Sequence, residues 1–408
     1  MANRHLVFIS DLGHTGPIWP QILDGVASQG WRVTILSPKL SIAQKRFFHL
    51  NYSSKKWTLI ETKEFSSPYR RYAGYPRVIR RIFQIGTPIK PLNQTVEHDY
   101  LDGYAKWKDL ALVKLNKIFE TDPFELIVSS SSPFITHIVA KEFKARKKVK
   151  WIADYRDMWS LNHNSKVFDK EKIEMERKIL ATATGCSTTS EGFKETLSEV
   201  FKGPIETIHN GYDILFPEKI YQKGKYYKIV YPGQIYENLQ DIKPILNSLH
   251  AVNGEGENFR FELLISGYAI AQVKKIVKEI GLSDAAWLKF GKILPLTKSL
   301  KLQRKADLLL LLNNTNPKIH GVMQTKLYEY IASGVPIIAV GGTMLDESST
   351  LIAMTRTGFI LRNEAEIIDF LNKLTTKNFV RPTRDKSVIR SLSRQQQGIK
   401  FTKFIQSL

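Results

Sequence analysis

The sequence predicts an α/β protein made of two Rossmann-like domains that face each other across a cleft. Three observations carry that expectation. Strand patterns alternate with helical patterns almost throughout, as parallel β-α-β units require. At 408 residues the chain exceeds one ordinary core. A polar stretch at 213–227, carrying Pro217 and Gly224, separates two halves of similar style and reads as a hinge.

Strands are expected at 6–10, 33–37, 57–62, 126–129, 150–153, 185–188 and 206–209 in the first half. In the second they fall at 228–231, 261–266, 288–290, 308–312, 337–340 and 359–361. Several are short, continuous apolar runs, which suits strands buried on both faces. The stretch at about 65–120 is longer than a simple crossover needs and reads as an insertion. The expected domains are 1–212, the hinge, and 228–385. A helical tail follows at 386–408, with Val388, Ile389, Leu392, Ile399, Phe401, Phe404 and Ile405 as its apolar positions.

Composition narrows the class. Hydrophobic residues at 43% and charged residues at 24% describe a soluble globular protein. No apolar run approaches the roughly 18 residues of a spanning helix. The opening MANRHLVFISDLGHTG reads as a first strand, too short in its apolar run for a signal peptide. A single cysteine, Cys186, rules out an internal disulfide and suits a buried thiol in the cytoplasm. The net charge of +21 attracts polyanions without choosing among them.

Its distribution says more. Residues 65–96 hold six basic residues and no acid. Within them Arg77, Arg80 and Arg81 alternate with Val78, Ile79, Ile82 and Phe83 at helical spacing. Such a basic amphipathic segment is expected either to lie on an anionic membrane surface, peripheral on the inner face of the cell membrane, or to pack as an ordinary helix. No nucleic-acid recognition module is present, so nucleic acid is not an expected partner. No His, Cys and carboxylate cluster has metal-ligand spacing, and neither a metal nor another cofactor is expected.

The most informative segment is TKLYEYIASGVPIIAV at 325–340. It reads as a helix closing on Gly334 as a left-handed C-cap, followed at once by a buried strand. Upstream lie the strand at 308–312 and a connection rich in Asn, Pro and Gly. A helix starting there aims free N–H groups and its positive dipole end at a ligand. Thr325 and Lys326 suit phosphate oxygens, and Glu329 one turn later can accept from ribose hydroxyls. This stretch reads as a nucleoside-diphosphate site.

Two first-half loops add candidates. SDLGHTGP at 10–17 places Gly13 and Gly16 where backbone can approach a ligand, and it presents Asp11 and His14. ADYRDMW at 153–159 puts Asp154, Arg156 and Asp157 at one strand end. Three charges there must pair or bind something. Either Arg156 neutralises its neighbours as a structural ion pair, or Asp157 contacts substrate.

The 325–337 residues resemble the GT-B nucleotide-sugar glycosyltransferases. The similar branch is the large retaining family (glycosyltransferase family 4-like, glycosyl transferases group 1) that includes sucrose synthase and bacterial polysaccharide enzymes. Thr325, Lys326, Glu329 and Tyr330 match a bacterial Thr/Ser-Lys-x-x-Glu-Tyr pattern, and Ser333, Gly334, Val335, Pro336 and Ile337 match the stretch that follows. The family's first motif Glu falls on Gly321, and Gln234 stands after Gly233 where the family has a cation. The resemblance implies a donor site of Gly13, Gly16, Gly233, Gln234, Gly291, Lys292, Ile293, Thr325, Lys326 and Glu329. His14, Asp157 and Lys326 would be its catalytic groups, with Asp154 and Arg156 on the acceptor-side loop. It further implies metal-independent transfer of a sugar, with retention, to a lipid-linked or oligosaccharide acceptor during cell-surface polysaccharide assembly. A nucleotide-sugar epimerase of the same fold and a degenerate, membrane-bound scaffold are the competing readings.

Overall fold

The computed structural model describes residues 4–40, 56–62, 104–162, 169–219, 224–236, 239–254, 258–316, 319–342, 346–376 and 383–408. It divides into two compact units, one of Met1–His209 with Arg394–Leu408 and one of Asn210–Ser393.

In the first unit the strands are β1 (His5–Ile9), β2 (Arg32–Ser37), β3 (Thr58–Glu61), β4 (Leu126–Ser131), β5 (Lys150–Tyr155), β6 (Gly185–Thr188) and β7 (Ile205–Thr207). They pair in parallel in the order β3-β2-β1-β4-β5-β6-β7. The connecting helices among the described residues are α1 (Leu12–Thr15), α2 (Ile18–Ala27), α3 (Ala105–Thr121), α4 (Ile135–Arg146), α5 (Lys170–Leu180) and α6 (Glu191–Leu197). On one face, Leu6 and Phe8 of β1 and Val33 and Ile35 of β2 pack with Trp19, Ile22 and Leu23 of α2. These residues lie two apart in each strand, so their side chains share a face.

The second unit is built the same way from β8 (Tyr227–Pro232), β9 (Phe261–Ser266), β10 (Leu288–Phe290), β11 (Leu308–Leu312), β12 (Ile337–Val340) and β13 (Gly358–Leu361). Their order is β10-β9-β8-β11-β12-β13, parallel throughout. Between them run α7 (Lys243–Asn253), α8 (Ile270–Glu279), α9 (Leu296–Lys305), α10 (Thr325–Ser333) and α11 (Glu347–Thr355), with α12 (Glu364–Leu374) and α13 (Lys386–Ser391) after β13. The five leucines of β11 show why the strand is continuously apolar. Leu308, Leu310 and Leu312 join one core and Leu309 and Leu311 the other, so both faces are covered.

The tail differs from the single helix expected over 386–408. It is two helices, α13 and α14 (Arg394–Ser407), broken at Leu392 and Ser393. Leu392 gives its carbonyl to the Tyr212 N–H at 3.2 Å, and Ser393 bridges to Tyr212. A backbone partner outside the helix ends α13 there. α14 then packs on α2 within the first unit. A Cβ on Gly398 would sit 2.2 Å from the Ile22 carbonyl oxygen, so the two backbones touch through glycine. Phe401, fully buried beside Trp19 at 5.1 Å, contributes about 1.5–3 kcal/mol through its burial.

The stretch expected as a hinge is anchored to the second unit over 216–219. Phe216 and Lys219 donate backbone N–H groups to Ala332 and Gly334 at 2.9 and 2.8 Å, and Arg304 Nη1 donates to the Pro217 carbonyl at 2.9 Å. Gly334, with φ +79°, closes α10 as a left-handed cap.

Candidate functional site

The strand order of the second unit reverses between β8 and β11. In open parallel sheets, ligands bind outside the carboxyl ends of the strands at such a point. Gly233 follows β8, and Lys326 opens the helix after β11. The structure brings them together: a Cβ built on Gly233 would lie 3.0 Å from the Lys326 ammonium nitrogen. Gly233 is held from the other side by Gly267, whose φ is +107° and whose Cβ would meet the Gly233 carbonyl oxygen at 2.8 Å. Two glycines are needed because two loops cross backbone on backbone.

Lys326 has an unusual set of neighbours for a cation. Its Nζ donates to the Tyr231 hydroxyl at 2.8 Å and lies 4.0 Å from the centre of that ring. The Tyr231 hydroxyl in turn donates a hydrogen bond to the Gln234 main-chain carbonyl at 2.6 Å. Burial pulls the Lys326 pKa down to about 7, against the opposing charge of Glu329. An ammonium stabilised by a phenol and a ring face gains strongly from an arriving phosphate. The N-cap of α10, Gln324, makes no side-chain capping hydrogen bond, so the start of the helix also suits an anion.

The remaining donor candidates divide by exposure. Glu329 is half-buried, and one carboxylate oxygen accepts from Gln303 Nε2 at 3.2 Å. Thr325 Oγ1 accepts from Asn210 Nδ2 at 3.4 Å. After β10, Gly291 donates its N–H to the Ile265 carbonyl at 2.8 Å, and the Lys292 carbonyl accepts from Ser266 Oγ at 2.5 Å. Those bonds fix the backbone of the loop while the Lys292 and Ile293 side chains stay exposed, as does that of Gln234. Gly321 has φ +75°, a left-handed backbone that a glutamate adopts only with strain. That is a physical reason for glycine at this position.

Sequence reasoning missed the tyrosines. The strand pattern at 228–231 gives no sign that the Tyr231 hydroxyl is the partner of Lys326. Yet Tyr268 is 60% exposed and Tyr236 50%, on the loops after β9 and β8. Tyrosines next to Gly233 and Gly267 at two strand ends were the available signal.

The first-unit candidates are placed differently. Asp154 is fully buried at the end of β5. Its two oxygens accept from Trp19 Nε1 at 2.6 Å, Ser130 Oγ at 2.6 Å, Ser187 Oγ at 2.8 Å and the Arg156 guanidinium at 2.8 and 2.9 Å. Arg156 also donates to the Ile208 carbonyl at 3.0 Å and lies 4.7 Å over the Trp19 ring. Of the two options open for this loop, the structural ion pair is therefore present, and Asp157 is the exposed member.

The loop expected after β1 is partly helical. It forms one helical turn, α1, and Asp11 is turned inward with 1% exposure. One Asp11 oxygen caps α1 through the Gly13 N–H at 2.9 Å, and the other accepts from the Tyr104 hydroxyl at 2.6 Å. Gly16, with φ +67°, ends the turn. His14 lies on α1, but its side chain is outside the described residues, as are Arg77, Arg80 and Arg81. Cys186 is buried, which pushes its thiol pKa well up. Among the described residues no group of His, Cys, Asp and Glu is placed to hold a metal ion, and no helix is long and apolar enough to cross a membrane.

No protein-family model matches the chain, and no curated protein matches it. Solved structures do. HepE of Anabaena, crystallised with UDP and glucose, superposes with a TM-score of 0.63 at 12% identity, over 99% of this chain and 100% of that one. The apo form of the lipopolysaccharide outer core galactosyltransferase WaaB gives 0.58 at 13%, over 99% of both chains. The UDP-GlcNAc 2-epimerase of Methanocaldococcus jannaschii gives 0.53 at 10%, again over 99% of both. At these identities the likeness shows the fold. It is GT-B, two Rossmann-like α/β domains, the architecture of nucleotide-sugar glycosyltransferases.

Proposed function

We propose that the protein is a glycosyltransferase that takes a sugar from a nucleoside-diphosphate donor to a lipid-linked or oligosaccharide acceptor, with retention, in cell-surface polysaccharide assembly. One observation carries the reading: the Lys326 ammonium held against the Gly233 backbone at the reversal point of the second sheet. A diphosphate fits there, with Lys326, Thr325 and the first N–H groups of α10 around its oxygens. Glu329 takes the ribose hydroxyls, and the Lys292–Ile293 backbone takes the base.

Charge builds on the leaving diphosphate as the glycosidic bond breaks. Lys326 and the helix dipole offset it in place, so the transfer is proposed to run without a metal. The leaving phosphate then helps to deprotonate the acceptor on the same face, which retains the anomeric configuration. The first unit is assigned the acceptor, with His14 and the exposed Asp157 as its polar groups. Asp154 and Arg156 hold the loop that carries Asp157. The protein is placed in the cytoplasm, with the basic segment at 65–96 meeting an anionic membrane.

Thermal-shift screening of UDP-, GDP-, TDP- and ADP-sugars tests the reading, because a ligand bound only by the folded state stabilises it. One nucleotide class should raise the midpoint, and Glu329→Ala should cancel the gain. Consumption of the selected donor without acceptor, giving an epimer, would turn the reading to an epimerase. No shift with any donor would leave a scaffold.

A further inference from the structure

A recess of about 710 Å³ opens in the first unit, at the amino-terminal ends of its strands. It is lined by Arg4 before β1, Glu125 and Leu126 at the start of β4, Lys150 at the start of β5, and Lys144, Lys147 and Lys148 around the end of α4. Ligands of this fold class sit at the opposite, carboxyl ends of the strands, so the recess belongs to no site described above. Five cations face one carboxylate. That local excess of positive charge favours an anionic ligand.

The cations are also held from behind. Lys144 donates to Thr184 Oγ1 at 3.0 Å, and burial lowers its pKa. Lys147 lies 5.3 Å over the Phe119 ring, and Arg4 lies 5.9 Å over the ring of Trp31, another wall residue. Trp31 is 5% exposed, so its ring is a fixed part of the wall. Between the charges the wall is apolar, through Trp31 and Leu126.

We propose that this recess binds a phosphate ester with an apolar body, its phosphate among Arg4, Lys144, Lys147, Lys148 and Lys150. The mixed wall selects that chemistry over a bare inorganic anion, and the volume matches a small-molecule site. The ester is either a soluble phosphomonoester or a lipid headgroup. The site stands independently of the donor reading in the second unit.

Calorimetric titration of hexyl phosphate into the full chain tests it, beside flotation with vesicles of phosphatidic acid in phosphatidylcholine. The control is the double variant Lys148→Glu and Lys150→Glu, at exposed positions where the fold tolerates change. Saturable one-to-one binding of hexyl phosphate is expected, weakened about tenfold or more in the variant and by added salt. Binding of hexyl phosphate without flotation assigns a soluble ester. Flotation that hexyl phosphate competes away, and that the variant loses, assigns a lipid headgroup. Equal binding by variant and wild type, or no saturable binding to either probe, overturns the proposal. UDP binding measured on the same variant should be unchanged, which keeps this test apart from the donor site.

Discussion

Asp154 in the first unit and Lys326 in the second are both charged groups withdrawn from water near the carboxyl ends of parallel strands, and their surroundings are opposite. Asp154 accepts five hydrogen bonds, two of them from the Arg156 guanidinium. Nothing remains for a ligand to supply. Lys326 has a phenol and a ring face, and its pKa is lowered to about 7. A saturated buried charge is architecture, whereas an under-compensated one is poised for a ligand of the other sign. The contrast separates a structural charge at one strand end from one that the proposed function gives to a ligand.

The largest effect should come from breaking the saturated side. Asp154→Ala leaves the Arg156 guanidinium without its buried partner and strips acceptors from Trp19, Ser130 and Ser187. A loss of about 3–5 kcal/mol of stability is expected in the first unit. Tryptophan fluorescence in urea reports it well, since Trp287 is the one tryptophan of the second unit. A loss below about 1 kcal/mol would erase the distinction drawn here.

Lys326→Met should act in the other direction on stability. The folded protein holds this lysine near pKa 7, while the unfolded chain holds it near 10.5. The unfolded state thus binds the proton more tightly, and stability falls as pH drops from about 10.5 to 7. Removing the amine should stabilise the ligand-free protein at pH 7 by about 1–3 kcal/mol, the full shift being discounted because the residue keeps some contact with solvent. The same variant should lose about 1.5–3 kcal/mol of UDP affinity. Wild-type UDP binding at pH 8 should take up a proton, visible as a buffer-dependent calorimetric enthalpy. A variant destabilised at pH 7 would place Lys326 with Asp154 as architecture.

His137 sharpens the comparison with a buried group that is neutral. It is 1% exposed, its Nδ1 shares a hydrogen bond with Ser129 Oγ at 2.8 Å, and burial drops its pKa to about 3. The Ser129 hydroxyl also accepts from Trp151 Nε1 at 2.8 Å. The unfolded histidine protonates near 6.5, so stability is complete above that pH and is lost as pH falls toward 3. At pH 5 the loss from this group is about 2 kcal/mol. His137→Gln should flatten that limb of the urea midpoint against pH, and an unchanged limb would mean that water already reaches the ring.

The smallest change is Tyr231→Phe, which removes one hydroxyl between Lys326 and the Gln234 carbonyl. UDP affinity should fall by about 0.5–1.5 kcal/mol, with the first-unit fluorescence melt unaltered. A larger loss would make Tyr231 a ligand contact rather than the support of Lys326.

The sequence by itself carried the α/β alternation, the leucine strand, the Gly334 cap and the Lys326–Glu329 segment. Each is a local matter: side-chain periodicity and backbone φ preference act over a few neighbouring residues. It also showed three charges crowded at 154–157, without saying which of them would be satisfied. That answer came from Trp19, Ser130, Ser187 and Ile208, which lie 24 to 135 residues away along the chain and meet Asp154 and Arg156 only across strands. The support of Lys326 by Tyr231, 95 residues earlier, was equally hidden. The tail reads as one helix because its apolar spacing continues past Ser393, whereas the break lies where Leu392 and Ser393 pair with Tyr212. Pattern determines where strands and helices form because hydrophobic burial is periodic. Whether a buried charge is satisfied or left wanting is decided by tertiary contacts, because desolvation and hydrogen bonding depend on what arrives through space.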